Sequence, residues 1–172
     1  NNQQNKKDHP NENFAREVME LFTLGRGNYT EHDVKEAARA FTGWSSNVKG
    51  EYVFRRFQHD FGSKTVLGKT GNFDGGEVLD ILLDQKQTAK YITKKIYKFF
   101  VNEKIDEAKV EWLADRFHKN DYEIAPLLED IFTSDWFYEE KNIGTLIKSP
   151  VELLVGIQRM LPMKLENDEA LM

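Results

Sequence analysis

Charged side chains line one side of the first helix that the sequence predicts. Glu12, Arg16 and Glu20 are spaced by four residues and share a stripe, and Glu17 lies beside it. An arginine between carboxylates could clamp a substrate, or could keep one glutamate ionised while a buried neighbour acts as an acid. The same spacing also suits a solvated helix face with weak ion pairs, or a bridge from Arg16 to another domain. Both interpretations are open at this point.

A second group of reactive residues lies in the segment HDFGSK. His59 and Asp60 could form an acid–base pair or contribute to a metal site, with Lys64 holding negative charge. A zinc site needs three or four ligands, and the other histidines lie far away without ligand spacing. Asp60 could instead form an Asx-turn leading into Gly62. The sequence therefore predicts no cofactor and gives only these two residues as weak metal candidates.

A stripe of lysines runs along a predicted helix near the middle of the chain. Its members are spaced by four residues, at Lys86, Lys90, Lys94 and Lys98. Such like charges repel, and either an anionic ligand or an acidic helix edge would relieve the repulsion. The preceding predicted helix carries an acidic edge, comprising Asp74, Glu77, Asp80 and Asp84. We expect these two edges to face each other.

Composition excludes several classes of function. The net charge is -5 and the pI is about 5.5, which disfavours nucleic-acid binding and polybasic docking on membranes. The chain has no cysteine, so disulfides, thiolate metal sites and cysteine nucleophiles are absent. No apolar run approaches the ~20 residues that span a bilayer. No nucleophile-elbow pattern is present either.

Periodicity predicts a mainly α fold, a helical bundle of about six to seven helices with a small two-stranded β insert. Helix starts are indicated at Asn11, Thr30, Asp74 and Ser149, the last followed by proline. We expect residues 1–10 to be a disordered or linker segment, and 11–162 to be one domain with its β insert near 45–71. The two strands are expected within 51–57 and 64–68, and 163–172 is expected to be a frayed tail.

Four ordered blocks of the chain resemble a large bacterial family known as domain of unknown function 1800. They are HPNENFAREVMELFTLGRGNYTEHDVKEAARAFTGW (9–44), HDFGSKTVLGKTGNFDGGEVLDILL (59–83), TAKYITKKIYKFFV (88–101) and IKSPVELLVGIQRML (147–161). The resemblance implies that these blocks form the C-terminal part of longer, often exported proteins. It also implies an extracytoplasmic location and a sulfatase- or phosphatase-like protein as a possible partner.

Two functions remain in competition. The first is a non-catalytic interaction or scaffold module that docks its own N-terminal region, a partner enzyme or a surface polymer. The second is a hydrolase-like or lyase-like enzyme acting on an anionic or carbohydrate substrate. The enzyme would use Glu12, Glu17, Glu20, His59 and Asp60 as acid–base groups, with Arg16 and Lys64 binding negative charge. It requires the β insert to bring His59 into a shared cleft with the first helix.

Overall fold

The computed structural model describes residues 5–161, so the predicted tail at 163–172 lies outside the described residues. The predicted fold class is confirmed, with seven α-helices and two small sheets in the described part. The helices are α1 (Glu12–Glu17), α2 (Glu31–Ala40), α3 (Gly75–Leu83), α4 (Lys86–Phe100), α5 (Glu107–Lys119), α6 (Ile124–Phe132) and α7 (Pro150–Met160). The strands are β1 (Trp44–Ser46), β2 (Tyr52–Phe54), β3 (Lys64–Val66) and β4 (Lys69–Gly71). Short 3₁₀ turns occur at Arg56–Gln58, Asp135–Tyr138 and Glu140–Asn142.

The predicted caps start the helices as expected. Reciprocal capping boxes begin α2 at Thr30, α3 at Asp74 and α7 at Ser149, and the Asn11 side chain accepts a hydrogen bond from the Phe14 amide. Each cap satisfies amide groups that the helix cannot pair internally. Local sequence therefore fixes where these helices begin.

A π-helical segment, Val18–Thr23, continues α1 where a regular helix to Leu24 is predicted. The amides of Leu24 and Gly25 both donate to the Met19 carbonyl, at 2.8 and 3.0 Å. The Thr23 hydroxyl donates to the Val18 carbonyl at 2.8 Å. These bonds hold the wider turn, which is rare and usually short.

The insert is built from two separate hairpins. β1 pairs antiparallel with β2, and β3 pairs antiparallel with β4. The predicted strands within 51–57 and 64–68 exist, but each pairs with its own neighbour in sequence and not with the other. The turn between β3 and β4 has positive φ at Leu67 (48°) and Gly68 (78°), which matches the right-handed twist of a hairpin. Closing such a short loop costs little chain entropy, so local pairing is favoured.

The buried interior consists of two apolar clusters. The first gathers α1, its π-helical extension, α2, β3 and α3 around Met19, Phe41 and Val66. The second gathers α4, α5 and α6 around Tyr97, Leu113 and Ile131, with Trp136 and Phe137 packed against it. Helix α4 also contacts the π-helical segment and α3, so it joins the two halves.

The lysine stripe of α4 faces α5, and the prediction that it faces α3 is wrong. Lys86 pairs with Asp115 at 3.3 Å, Lys94 with Glu107 at 2.7 Å, and Lys90 with Glu111. Lys98 pairs with Glu103 at 3.0 Å in the α4–α5 connection. The acidic residues are also spaced by four, so each lysine of the stripe faces one carboxylate. Each exposed pair contributes only about 0.2–1 kcal/mol.

Residues 5–10, expected to be part of a linker, run beside the insert. Asn5 is buried, and its side-chain oxygen accepts a hydrogen bond from the Asn11 amide at 2.9 Å. The Gly43 amide donates to the Asn5 carbonyl at 2.9 Å, and the Lys7 amide donates to the Gln58 carbonyl at 2.8 Å. This segment therefore contacts both α1 and the 3₁₀ turn of the insert.

Two glycines after the π-helical segment allow a matched test of this packing. Both have positive φ, but a Cβ at Gly25 would lie 2.6 Å from Tyr91, whereas a Cβ at Gly27 meets no described atom within 4 Å. Overpacking costs about 1–3 kcal/mol beyond the backbone strain that both positions share. Gly25→Ala should therefore lower the free energy of unfolding by about that much more than Gly27→Ala, measured by urea titration. Equal losses would contradict the contact with Tyr91.

Candidate functional site

A polar network joins α2 to the loop before β3, and Arg39 lies at its centre. The Arg39 Nε donates to Asp60 Oδ2 at 2.7 Å, and its Nη1 donates to Glu36 Oε1 at 2.9 Å. Nη1 also donates to the Ser63 carbonyl at 3.1 Å. One guanidinium thus binds two carboxylates and a loop carbonyl through its planar, fixed set of N–H donors.

Carboxylates of α2 also bind the backbone of the second hairpin. Glu36 Oε2 accepts the Thr65 amide at 2.9 Å, and Asp33 Oδ1 accepts the Leu67 amide at 2.7 Å. These amides lie on the outer edge of β3 and in its turn, where no strand pairs with them. The helix therefore replaces a neighbouring strand and satisfies this edge.

Lys64 is completely buried within the network. Its ammonium donates to the Asp60 carbonyl at 2.6 Å, to the Gly62 carbonyl at 2.9 Å and to Asn72 Oδ1 at 3.4 Å. Burial lowers the pKa of Lys64, because a charged group loses hydration there. The side chain closes the loop around itself and presents no amine to solvent.

His59 is buried at 4% exposure beside the same loop. Its Nδ1 donates to the Thr42 carbonyl at 2.8 Å, which fixes the ring orientation. The Thr42 hydroxyl accepts the Asp60 amide at 2.8 Å. Thr42, at the end of α2, thus anchors both residues of the His-Asp pair.

The network keeps its acids ionised. Hydrogen bonds from Arg39 lower the pKa of Asp60 against the opposing effect of burial. Burial would raise the pKa of Glu36, but the bonds from Arg39 and the Thr65 amide outweigh it and the pKa falls. Burial likewise opposes the lowered pKa of Asp33, which bonds from Thr30 and the Leu67 amide produce. None of these shifts creates a proton donor at neutral pH.

The charged face of α1 has different partners. Arg16 makes two bonds of 2.7 Å to Glu31 at the start of α2, and not to Glu12 or Glu20. Glu20 accepts the Tyr29 hydroxyl at 2.8 Å and pairs with Arg26 at 3.3 Å. Glu17 accepts the Asn13 side chain at 2.9 Å, and Glu12 lies exposed in the first turn.

The structure brings His59, Asp60 and Lys64 together but leaves them separate from the predicted acids of α1. Within residues 5–161 no hydrogen bond or ion pair joins Glu12, Glu17 or Glu20 to any of the three. The described side chains also contain no group of three or more acids or histidines arranged to hold a metal ion. Arg39 and Glu36, which connect α2 to the loop, were missed because their partners lie 21–29 residues away in sequence.

Helix α7, near the C-terminal end of the described residues, forms a second surface of interest. Helix α7 has six hydrophobic residues among eleven, yet none of its side chains is buried within the described structure. Val151 is 69% exposed, Leu154 67% and Met160 72%. A cavity of about 680 Å³ lies between the N-terminal end of α7 and α4. Its lining includes Lys95, Phe99, Leu146, Ile147 and Lys148.

Two of the three lysines that line this cavity differ from the paired lysines of α4. Lys95 donates to the Leu21 carbonyl at 2.9 Å and lies 5.0 Å from the centre of the Tyr91 ring. Neither Lys95 nor Lys148 pairs with a carboxylate among residues 5–161. The cavity is also lined by Glu103 and Glu152, so its apolar walls carry charges of both signs. The sequence predicted this helix, but it did not indicate that the apolar side chains of the helix are exposed.

The described residues form a mainly helical protein with two β-hairpins, a polar network between α2 and the insert, and a last helix, α7, without a buried side chain. Residues 1–171 match the model of the family described as "Protein of unknown function (DUF1800)", and the chain belongs to that family. No curated protein and no solved structure matches the chain. Among the described residues, no helix combines the length and apolar character that crossing a bilayer requires.

The lowered carboxyl pKa values predict acid sensitivity. Each folded pKa lies below the ordinary value, 3.8 for Asp60 and 4.5 for Glu36, so the stabilisation is complete above these values and is lost as pH falls below them. Asp60→Asn should reduce the free energy of unfolding by about 1–3 kcal/mol at pH 7 and less at pH 3. Urea titrations between these pH values test this.

Asp80→Asn is the matched control, because Asp80 is exposed and makes no ion pair in the described part. It should leave stability at pH 7 within about 0.5 kcal/mol of wild type. A constant difference between Asp60→Asn and wild type across the pH range would contradict the role assigned to this carboxylate.

Proposed function

We propose that this chain is a non-catalytic interaction module of a larger, exported bacterial protein. The observation that carries the proposal is α7, an apolar helix without a buried side chain. Helices that are apolar around most of their circumference normally lie inside a core. Because burying apolar surface contributes about 25 cal/mol per Å², an uncovered helix of this kind favours association.

The environment of α7 favours a protein surface as its partner. Ile147 is 98% exposed and Phe99 67%, so the apolar surface extends from the helix into the adjoining cavity. Lysines and two carboxylates, Glu103 and Glu152, surround that end. An amphipathic segment with apolar anchors and a polar edge of mixed charge fits this arrangement. Such a segment belongs either to the N-terminal region of the longer protein or to a sulfatase- or phosphatase-like partner.

The polar network favours this function over the hydrolase-like or lyase-like alternative. Asp60 and Lys64 are bonded to Arg39 and to loop carbonyls, and the Nδ1 of His59 is engaged by Thr42. A catalytic acid or base needs to reach a substrate proton, and these groups satisfy one another instead. Their arrangement supports a structural role, namely fixing the insert to α2.

Site-specific crosslinking in the native host tests the proposal. A photoreactive phenylalanine derivative in place of Leu154, within the full-length protein, should give one discrete product on irradiation. The product is a heavier adduct if a partner covers α7, or an internal crosslink if the N-terminal region does. Adding Val151→Glu should abolish it, because a charge cannot be buried in an apolar contact without a large penalty.

The matched control carries the same photoreactive residue in place of Lys119, which is exposed at the end of α5. It should yield no discrete product. If position 154 reacts no more than position 119, α7 remains in solvent in the cell and the proposed function is wrong.

A further inference from the structure

Exposed aromatic rings and arginines are concentrated in residues 54–61 of the insert, which we term the aryl–arginine patch. It comprises Phe54, Arg55, Arg56, Phe57 and Phe61, from β2 to the loop before β3. Phe57 is 94% exposed, Phe61 51% and Phe54 42%. Large rings exposed to this extent on a rigid element need an explanation, since burial is their usual state.

The patch is held in place by the residues beneath it. The buried His59 ring contacts both Phe54 and Phe61 edge to face, with centroids 5.3 and 4.7 Å apart. Arg56 lies over the Phe61 ring at 5.5 Å. The Arg55 amide donates to the Gly43 carbonyl at 2.7 Å. The Phe54 and Phe61 rings are therefore ordered before any ligand arrives, which reduces the entropy cost of binding.

The charge of the patch is uncompensated. Neither Arg55 nor Arg56 makes an ion pair within residues 5–161. Four other arginines do pair with carboxylates: Arg16, Arg26, Arg39 and Arg116. Of the nearest acids in sequence, Asp60 is bound by Arg39, and Glu51 accepts a hydrogen bond from the Asn47 side chain at 2.8 Å. Two guanidinium groups are thus free to bind anions in the bidentate manner that arginine favours.

We propose that the aryl–arginine patch binds an acidic polysaccharide. The Phe57 and Phe61 rings offer apolar faces on which sugar rings can stack. Arg55 and Arg56 then bind carboxylate groups carried by the same chain. In this arrangement the buried His59 packs beneath the rings and does not contact the ligand. The patch gives the module a second binding surface.

The size of the patch favours an extended polymer over a folded partner. Stable protein interfaces use about 20–30 residues on each side, far more than the five that form this surface. A polymer can cross a small patch and continue in solvent on both sides. Its affinity then comes from a few stacked rings and charged contacts.

The charge of the whole chain favours a glycan over nucleic acid. The net charge of -5 repels a polyanion, and it does so most strongly when the charges are closely spaced. Duplex nucleic acids carry two phosphates per base pair and are bound through broad basic surfaces. A polysaccharide with one carboxylate per sugar has a lower charge density than a duplex, so it matches two arginines with less repulsion.

Calorimetric titration of the chain with polygalacturonate and with alginate tests the proposal. Both Phe57→Ala and Arg56→Gln should weaken binding about tenfold, because each removes one stacked ring or one charge-assisted contact. Thermal unfolding should be unchanged in both variants, since neither side chain is buried. Phe22→Ala and Arg26→Gln, which alter an exposed ring and an exposed guanidinium outside the patch, should leave binding unchanged.

The same titrations with dextran, oligothymidylate and phosphatidylglycerol vesicles distinguish other ligands. The proposal is overturned if neither acidic glycan binds, if dextran binds equally well, or if the patch variants bind as wild type does. It is also overturned if oligothymidylate or the vesicles bind more tightly than both glycans. These variants leave α7 intact, so this inference and the proposed function can fail separately.

Discussion

The attachment of the insert to one edge of α2 is the interaction on which the rest of the structure depends. Two-stranded hairpins are marginal alone, and this insert contains two of them. Asp33 and Glu36 bind the free backbone edge of the second hairpin, and Arg39 binds the loop before it. Val66 is thereby placed in the first apolar cluster. Without these bonds, buried amides and carbonyls would be left unsatisfied.

This attachment also determines what the reactive residues can do. His59, Asp60 and Lys64 are the residues that a reader of the sequence would select for catalysis. In the structure they hold the loop in a fixed conformation, and their hydrogen-bonding groups are directed inward. The buried His59 ring also packs edge to face against the exposed rings of Phe54 and Phe61.

Local features of the fold could be predicted, and long-range polar contacts could not. Caps at Thr30, Asp74 and Ser149 act within four residues, so the sequence reveals them directly. The pairing of Arg39 with Asp60 depends on how the insert folds back, which no local pattern encodes. The α4–α5 pairing could have been predicted from the sequence, because Glu107, Glu111 and Asp115 repeat the spacing of the lysines. The nearer acidic helix was the wrong choice because α3 uses Asp74 and Glu77 for its own cap.

The proposed function depends on α7 having no fully buried side chain in the described structure, and stability measurements test this most directly. The same substitution can be made at Leu154, which is 67% exposed, and at Leu113, which is fully buried. Leu113→Ala should lower the free energy of unfolding by about 2–5 kcal/mol, as core truncations do. Leu154→Ala should change it by no more than about 0.5 kcal/mol. A loss at Leu154 as large as that at Leu113 would show that α7 belongs to this chain's own core and is not free to bind a partner.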